Sequence, residues 1–212
     1  MEKNMTEGNS LKQILCFAFP LLLGNLFQQL YNLADSIIVG KTLGIDALAS
    51  VGASGSLNFL IIGFCIGLCS GFAIPVAQTF GAKEYSLMRR YVVNAMALAA
   101  GISIAFAVVT ALFCRQILVL IRTPENILDG AYRYLIIIFI GIPFTVLYNL
   151  AAGILRSLGD SKSPFLFLAI STIINIIGDL VCILVFGMGV EGAAISTIVA
   201  QAISGICCVL YM

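Results

Sequence analysis

The chain has 212 residues, 61% of them hydrophobic and 10% charged, and a net charge of +1 at pH 7. Soluble domains carry about 25% charged residues, so this composition excludes an ordinary soluble fold and points to an integral membrane protein; the near-zero charge excludes a nucleic-acid partner. Histidine is absent and the seven cysteines form no CxxC pair, which leaves proton chemistry to carboxylates and sets aside zinc and thiol-redox sites.

The first thirteen residues, MEKNMTEGNSLKQ, are polar. The apolar run after them is too long for a signal-peptide core, so residues 1–13 read as a cytoplasmic leader and residues 14–212 as one transmembrane unit. A spanning helix needs about 20 apolar residues. Six windows qualify: 14–39, 48–80, 91–114, 132–155, 164–186 and 190–211. The fold class is therefore all-α and polytopic, with six transmembrane helices.

Local chemistry marks the breaks. Pro20 and Pro143 lie within spans and should kink or open them. Gly63, Gly67 and Gly71, spaced by four in the second span, read as a helix-packing face. Thr123-Pro124-Glu125 reads as an N-cap, a proline at the first helical position and an acid in the first turn, and Ser163-Pro164 opens the fifth span in the same way. Gly187, Gly189 and Gly192 surround a short turn before the sixth. The cysteines fall in apolar runs or at their ends and read as small buried hydrophobes.

Seven of the eleven Lys and Arg residues fall on one side: Lys3, Lys12, Lys83, Arg89, Arg90, Arg156 and Lys162. The richer side faces the cytoplasm, so both ends of the chain are expected there, in a cell-membrane protein. The chain stops at the inner end of the sixth span with no polar tail, which reads either as a natural end or as a cut partway through a longer protein.

Eight of the ten acids lie in loops, in the leader or at span ends; Asp35 and Asp179 do not. An intramembrane carboxylate costs about 2.5–3.5 kcal/mol or more unless paired, hydrated or neutral. Asn25, Gln28, Asn32 and Asp35 share one arc of about 80° on a helix, as do Ser171, Asn175 and Asp179. Both stripes should face protein or a water-filled cavity. Counted from the outer span ends, Asp35, Asp179 and Thr197 sit at similar depths of roughly 8–10 Å. With Asn175 they would form an oxygen-rich site suited to a hard cation such as Na⁺, and two acids that close can also share a proton. The plainer readings are an acid reaching to interfacial water for Asp35 and interhelical hydrogen bonds for Asp179, Asn175 and Thr197. Asn58, Asn94, Tyr148, Asn149 and Gln201 read as isolated structural polar groups.

The stretch NLFQQLYNLADSIIVGKTLGIDALASVG resembles the first-span signature of the multidrug and toxic compound extrusion (MATE) transporters. GAKEYSLMRR, GILRSLGDSKSP, NIIGDLVCILVFGMGVEGAAISTIVAQ and Pro20 are similar to later landmarks of that family, in the same order. The resemblance implies a twelve-span fold of two six-helix lobes, of which this chain would be the first, needing a second lobe to be complete. It implies a cation site at Asp35, Asn175, Asp179 and Thr197. It further implies a hinge at Pro20 and substrate-facing positions at Gln28 and Tyr31, with Asn32 on the same stripe and Asn149 as a looser match.

The expected function is secondary active efflux, not enzymatic: H⁺ or Na⁺ would enter against an amphipathic, often cationic, small molecule leaving. No organic cofactor is implied, and no P-loop is present to use ATP. Three rivals stand. A lipid-linked oligosaccharide flippase of the same superfamily would want a cationic cavity. An intramembrane aspartyl protease would want a GxGD motif where this chain has NIIGD. A membrane scaffold would give no reason for two acid stripes.

Overall fold

The structure, a computed structural model, describes residues 10–212, with side chains from residue 15 onward except 16, 17 and 21. Most of the leader lies outside the described residues. The rest is helical: α1 (Ser10–Leu43), α2 (Ile45–Gly81), α3 (Tyr85–Leu120), α4 (Glu125–Ile140), α5 (Ile142–Ser157), α6 (Lys162–Leu180) and α7 (Val190–Tyr211), with a π-helical turn, Val181–Val185, continuing α6. By length and apolar composition α2, α3, α6 with its π turn, and α7 can each cross a membrane, and α4 with α5 makes a fifth, bent unit. With 34 residues, α1 has ample length for a sixth.

The outer surface shows why these segments belong in lipid. On α1, Leu15, Phe19, Leu22, Leu26, Leu30, Leu33 and Ile37 are exposed at spacings of three and four, one face of a helix. The amide stripe lies on the far side of the same helix. α5 is the central strut, packed on α2, α3 and α7, and nearly all its side chains from Leu150 to Leu155 are buried. α1 lies against α6 and α2.

The fourth span breaks at Gly141, where α4 and α5 meet at 49°. Pro143 sits in the first turn of α5. It has no N–H to offer a carbonyl one turn back, and its ring would strike that carbonyl, so the helix restarts at a new angle. This is the bend expected there. α1 and α2 instead run unbroken past Pro20 and Pro75.

Three readings need correction. α4 begins at Glu125 with Pro124 in the N-cap position, and Thr123 makes no capping bond. α6 begins at Lys162, and its cap is Asp160: one carboxylate oxygen accepts the Lys162 and Ser163 N–H groups at 3.0 Å, and the other accepts the Ser163 hydroxyl at 2.6 Å. The glycines at 63, 67 and 71 pack nothing within this chain, for a Cβ there would meet no atom within 4 Å. Close helix contacts occur elsewhere: Gly141 abuts Ile198, Gly178 abuts Ser196, and a Cβ at Gly205 would stand 3.0 Å from the Tyr148 nitrogen.

Serine hydroxyls stitch neighbouring helices by donating to backbone oxygens: Ser50 to Ile127 (3.2 Å), Ser157 to Ala73 (3.0 Å), Ser171 to Ala200 (2.7 Å) and Ser204 to Phe167 (3.2 Å). In lipid such bonds satisfy groups that water cannot reach. Ser171 therefore joins α6 to α7 rather than serving the polar stripe.

Candidate functional site

A cavity of ≈ 990 Å³ lies between α1, α2, α4, α5, α6 and α7. The sequence explains its wall. The 3-4-3 spacing keeps Asn25, Gln28, Asn32 and Asp35 on one side of α1, and all four line the cavity, with Tyr31 and Ser36 beside them. On α2, Gly52, Gly55 and Gly63 line the cavity alongside Ser54, Asn58 and Ile62.

Toward the C-terminal half of α1 the polar groups sink into the protein. Asp35 is 5% exposed, and Asn175 and Asp179 are at 0%. The Asn175 side-chain nitrogen donates to Asp179 Oδ1 at 3.3 Å and to Ser196 Oγ at 3.2 Å, and the Ser196 hydroxyl returns a bond to the Asn175 backbone oxygen at 2.8 Å. The Asp35 and Asp179 carboxyl groups are close enough to interact. The nearest turn of helix beyond Asp179 is the π segment, a widened turn of the kind that gathers at functional sites.

Five buried oxygens of this cluster have no partner: Tyr31 OH, Asp35 Oδ1, Asn175 Oδ1, Asp179 Oδ2 and Thr197 Oγ1. Buried polar atoms are normally satisfied, so this set of open oxygens is the candidate site for a bound group. No basic side chain among the described residues pairs with either acid, since both salt bridges, Arg115–Asp129 and Arg133–Glu191, lie elsewhere on exposed side chains. Two unpaired buried carboxylates call for a proton or a cation. Oxygen-only ligands fit a hard cation.

The structure thus brings Asp35, Asn175, Asp179 and Thr197 into one cluster. Gln28, Tyr31, Asn32 and Asn149 all line the cavity, though each differs in freedom. Tyr31 is buried, Asn32 is exposed and donates to Gln29 (3.3 Å), and Asn149 donates to the Thr145 carbonyl (2.8 Å). Pro20 is buried and lines the cavity near the start of α1. Of the isolated polar groups, Asn58, Tyr148 and Gln201 turn out to line the cavity, and the side-chain oxygens of Asn58 and Gln201 are buried without partners. Three residues went unnoticed in the sequence as site components. Tyr134 and Ser196 belong to no polar stripe of the kind that marks α1 and α6, so their spacing does not flag them. Arg156 was counted with the loop after the fourth span, yet it lies within α5 and lines the cavity. The described cysteines are free and buried or half-buried, as small hydrophobes should be.

The MatE family model matches residues 20–181. A probable multidrug resistance protein, YpnP of Bacillus subtilis, is 36% identical over 95% of this chain and 45% of its own length. An FAD transporter of Shewanella oneidensis is 26% identical over 91% of this chain and 44% of its own. Among solved structures, the outward-facing conformation of a MATE family transporter of the MOP superfamily superposes with a TM-score of 0.89 at 25% identity, covering 96% of this chain and 45% of that one. The chain spans just under half the length of these relatives.

Proposed function

The chain belongs to the MatE family, and on that premise we propose that it forms one six-helix lobe of a cation-coupled exporter of amphipathic small molecules. The observation that carries this reading is the pair of unpaired, buried carboxylates, Asp35 and Asp179, set among open oxygens at the end of a large cavity. Asp35, Asn175, Asp179 and Thr197 would hold the coupling ion, H⁺ or Na⁺. Gln28, Tyr31, Asn32 and Asn149 would face the solute, which in the relatives ranges from drugs to FAD by their names. The intramembrane protease reading loses its support, since the relatives above carry resistance and transport names.

The physical logic is a change of charge balance. With the ion absent, two carboxylates face each other in a site without a base. With it bound, one charge is cancelled and α1 is free to pack differently against α6 and α2, with Pro20 as the place where it bends. An ion biases two states only by its differential affinity for them. The Lys/Arg bias supports a cytoplasmic N terminus in the cell membrane, and a second six-helix lobe would complete the transport path.

Proteoliposomes carrying this lobe joined to a second MatE lobe test the proposal. Asp35→Asn with Asp179→Asn is expected to insert normally and to lose efflux driven by either a proton or a sodium gradient. Efflux that stays gradient-driven in that variant overturns it.

A further inference from the structure

Of all the residues that line the large cavity, two carry charge: Asp35 and Arg156. They stand at opposite ends. The Phe27–Phe165 edge contact, with ring centroids 5.4 Å apart, sets the start of α6 beside the middle of α1. Arg156 closes α5 four residues before Asp160, the residue that caps α6, so it lies at that same inner end. Asp35 is eight residues beyond Phe27 along α1, which separates the two charges by roughly 12–16 Å.

Arg156 is half-buried, and no carboxylate among the described residues pairs with it. The nearest acid in sequence, Asp160, is turned to the α6 N-terminus by three hydrogen bonds and does not line the cavity. The cavity lining continues from Arg156 through Ser157 and Ser161 to the apolar surfaces of Phe165 and Leu168 at the start of α6. The Ser157 hydroxyl spends its proton on the Ala73 and Gly153 carbonyls, so in this wall the planar fork of Arg156 is the group suited to an anion. A guanidinium takes carboxylate or phosphate oxygens two at a time, which a lysine cannot do.

We infer that the inner end of the cavity is an anion-recognition site, in which Arg156 binds the phosphate or carboxylate group of an amphiphile whose apolar part lies along Phe165 and Leu168. This rests on the cavity being the solute path proposed above, and it narrows the solutes from cationic amphiphiles to those bearing an acidic group, zwitterions included. A zwitterion of the right length reaches both ends, its cationic group toward Asp35 and its anionic group at Arg156.

The test is direct binding by this chain in nanodiscs of digalactosyldiacylglycerol, a bilayer lipid without phosphate, with dodecyl phosphate and dodecyltrimethylammonium as matched probes. Binding needs no ion gradient, so failure of the transport reading and failure of this one are separable. The wild-type chain is expected to prefer the phosphate probe. Arg156→Gln should cut that preference by about ten- to a hundredfold, the range for a lost charged hydrogen bond. Arg156→Lys, which keeps the charge and loses the fork, should fall between and shows that the variants still fold. Displacement of dodecyl phosphate when phosphatidylglycerol is added to the nanodisc assigns the site to a bilayer lipid; no displacement assigns it to a soluble amphiphile; either supports Arg156 as the anchor. Equal preference in the wild type and Arg156→Gln overturns the inference.

Discussion

Asn175 and Ser196 are joined twice: the Ser196 hydroxyl donates to the Asn175 backbone oxygen at 2.8 Å and accepts from the Asn175 side-chain nitrogen at 3.2 Å. One serine on α7 thereby fixes both the backbone and the amide of a residue on α6, and that amide in turn reaches Asp179. Ser196→Ala removes an extra donor from that buried carbonyl and an acceptor from the Asn175 amide. A loss of about 1–3 kcal/mol is expected, read as a lower thermal midpoint of the chain in detergent. The same variant should weaken any ion-dependent rise of that midpoint, because the Asn175 amide is freed to rotate.

Gly178 offers a way to disturb the cluster without touching a polar atom. A Cβ at that position would overlap the Ser196 hydroxyl oxygen, so Gly178→Ala must push α7 away or turn Ser196 off Asn175. Overpacking of this kind costs about 1–3 kcal/mol. Removing the hydroxyl also removes the clash. The Gly178→Ala/Ser196→Ala double variant should therefore be less unstable than the sum of the singles, a coupling visible in a double-mutant cycle. Strict additivity would show that the two helices relax apart.

Turn geometry yields a stabilising change. α2 and α3 each end in a Schellman arrangement: Glu84 N–H to Thr79 O with Lys83 N–H to Phe80 O, and Thr123 N–H to Leu118 O with Arg122 N–H to Val119 O. The left-handed position is filled by Lys83 (φ 61°) and Arg122 (φ 57°) rather than glycine. A non-glycine residue there costs about 1–2 kcal/mol, partly offset by the extra freedom a glycine loses on folding. Arg122→Gly should raise the unfolding midpoint by the equivalent of about 0.5–1 kcal/mol.

Asp160 sets a pH signature outside the membrane core. Partial burial pushes its carboxyl up, but the Ser163 hydroxyl and the Ser163 and Lys162 N–H groups together hold it below the usual carboxylate range. A depressed acid contributes stability that is present above its unfolded value and is lost as pH falls through the folded one. Asp160→Ala should therefore cost about 1 kcal/mol near neutral pH. The gap between variant and wild type should narrow as pH drops below the ordinary carboxylate range.

How much of this was legible beforehand depends on what each residue stands against. Asp35 and Asp179 were conspicuous because a carboxylate in an apolar run is rare, and helical spacing then recruited Asn175 and the α1 stripe. Pro143 announced the bend. Hydropathy, however, reports the membrane and not the helix: α3 begins at Tyr85, ahead of Arg89 and Arg90, because polar residues continue a helix that lipid no longer requires. Arg156 was misplaced for the same reason. A basic residue suits the last turn of a helix, so the end of the apolar run was not the end of α5. Tyr134 and Ser196 become visible only when α4 and α7 are packed beside α6.

Replacing a site acid should make the lobe more stable while making it useless for coupling. Asp179 is fully buried, has one oxygen bonded to Asn175 and the other open, and has no basic partner among the described residues. A charge that has no partner when it forms in a buried site weakens a fold, so a neutral group of the same shape at Asp179 removes that cost. Asp179→Asn keeps the volume and offers an N–H₂ group to the open oxygens of Asp35 and Thr197. Its thermal midpoint is expected to rise and to become insensitive to the coupling ion, whereas the wild-type midpoint should respond to sodium or to pH. A residue kept for folding would behave in the opposite sense, with the amide variant less stable and its ion response intact. The sign of that one difference separates a structural aspartate from one that holds strain for transport.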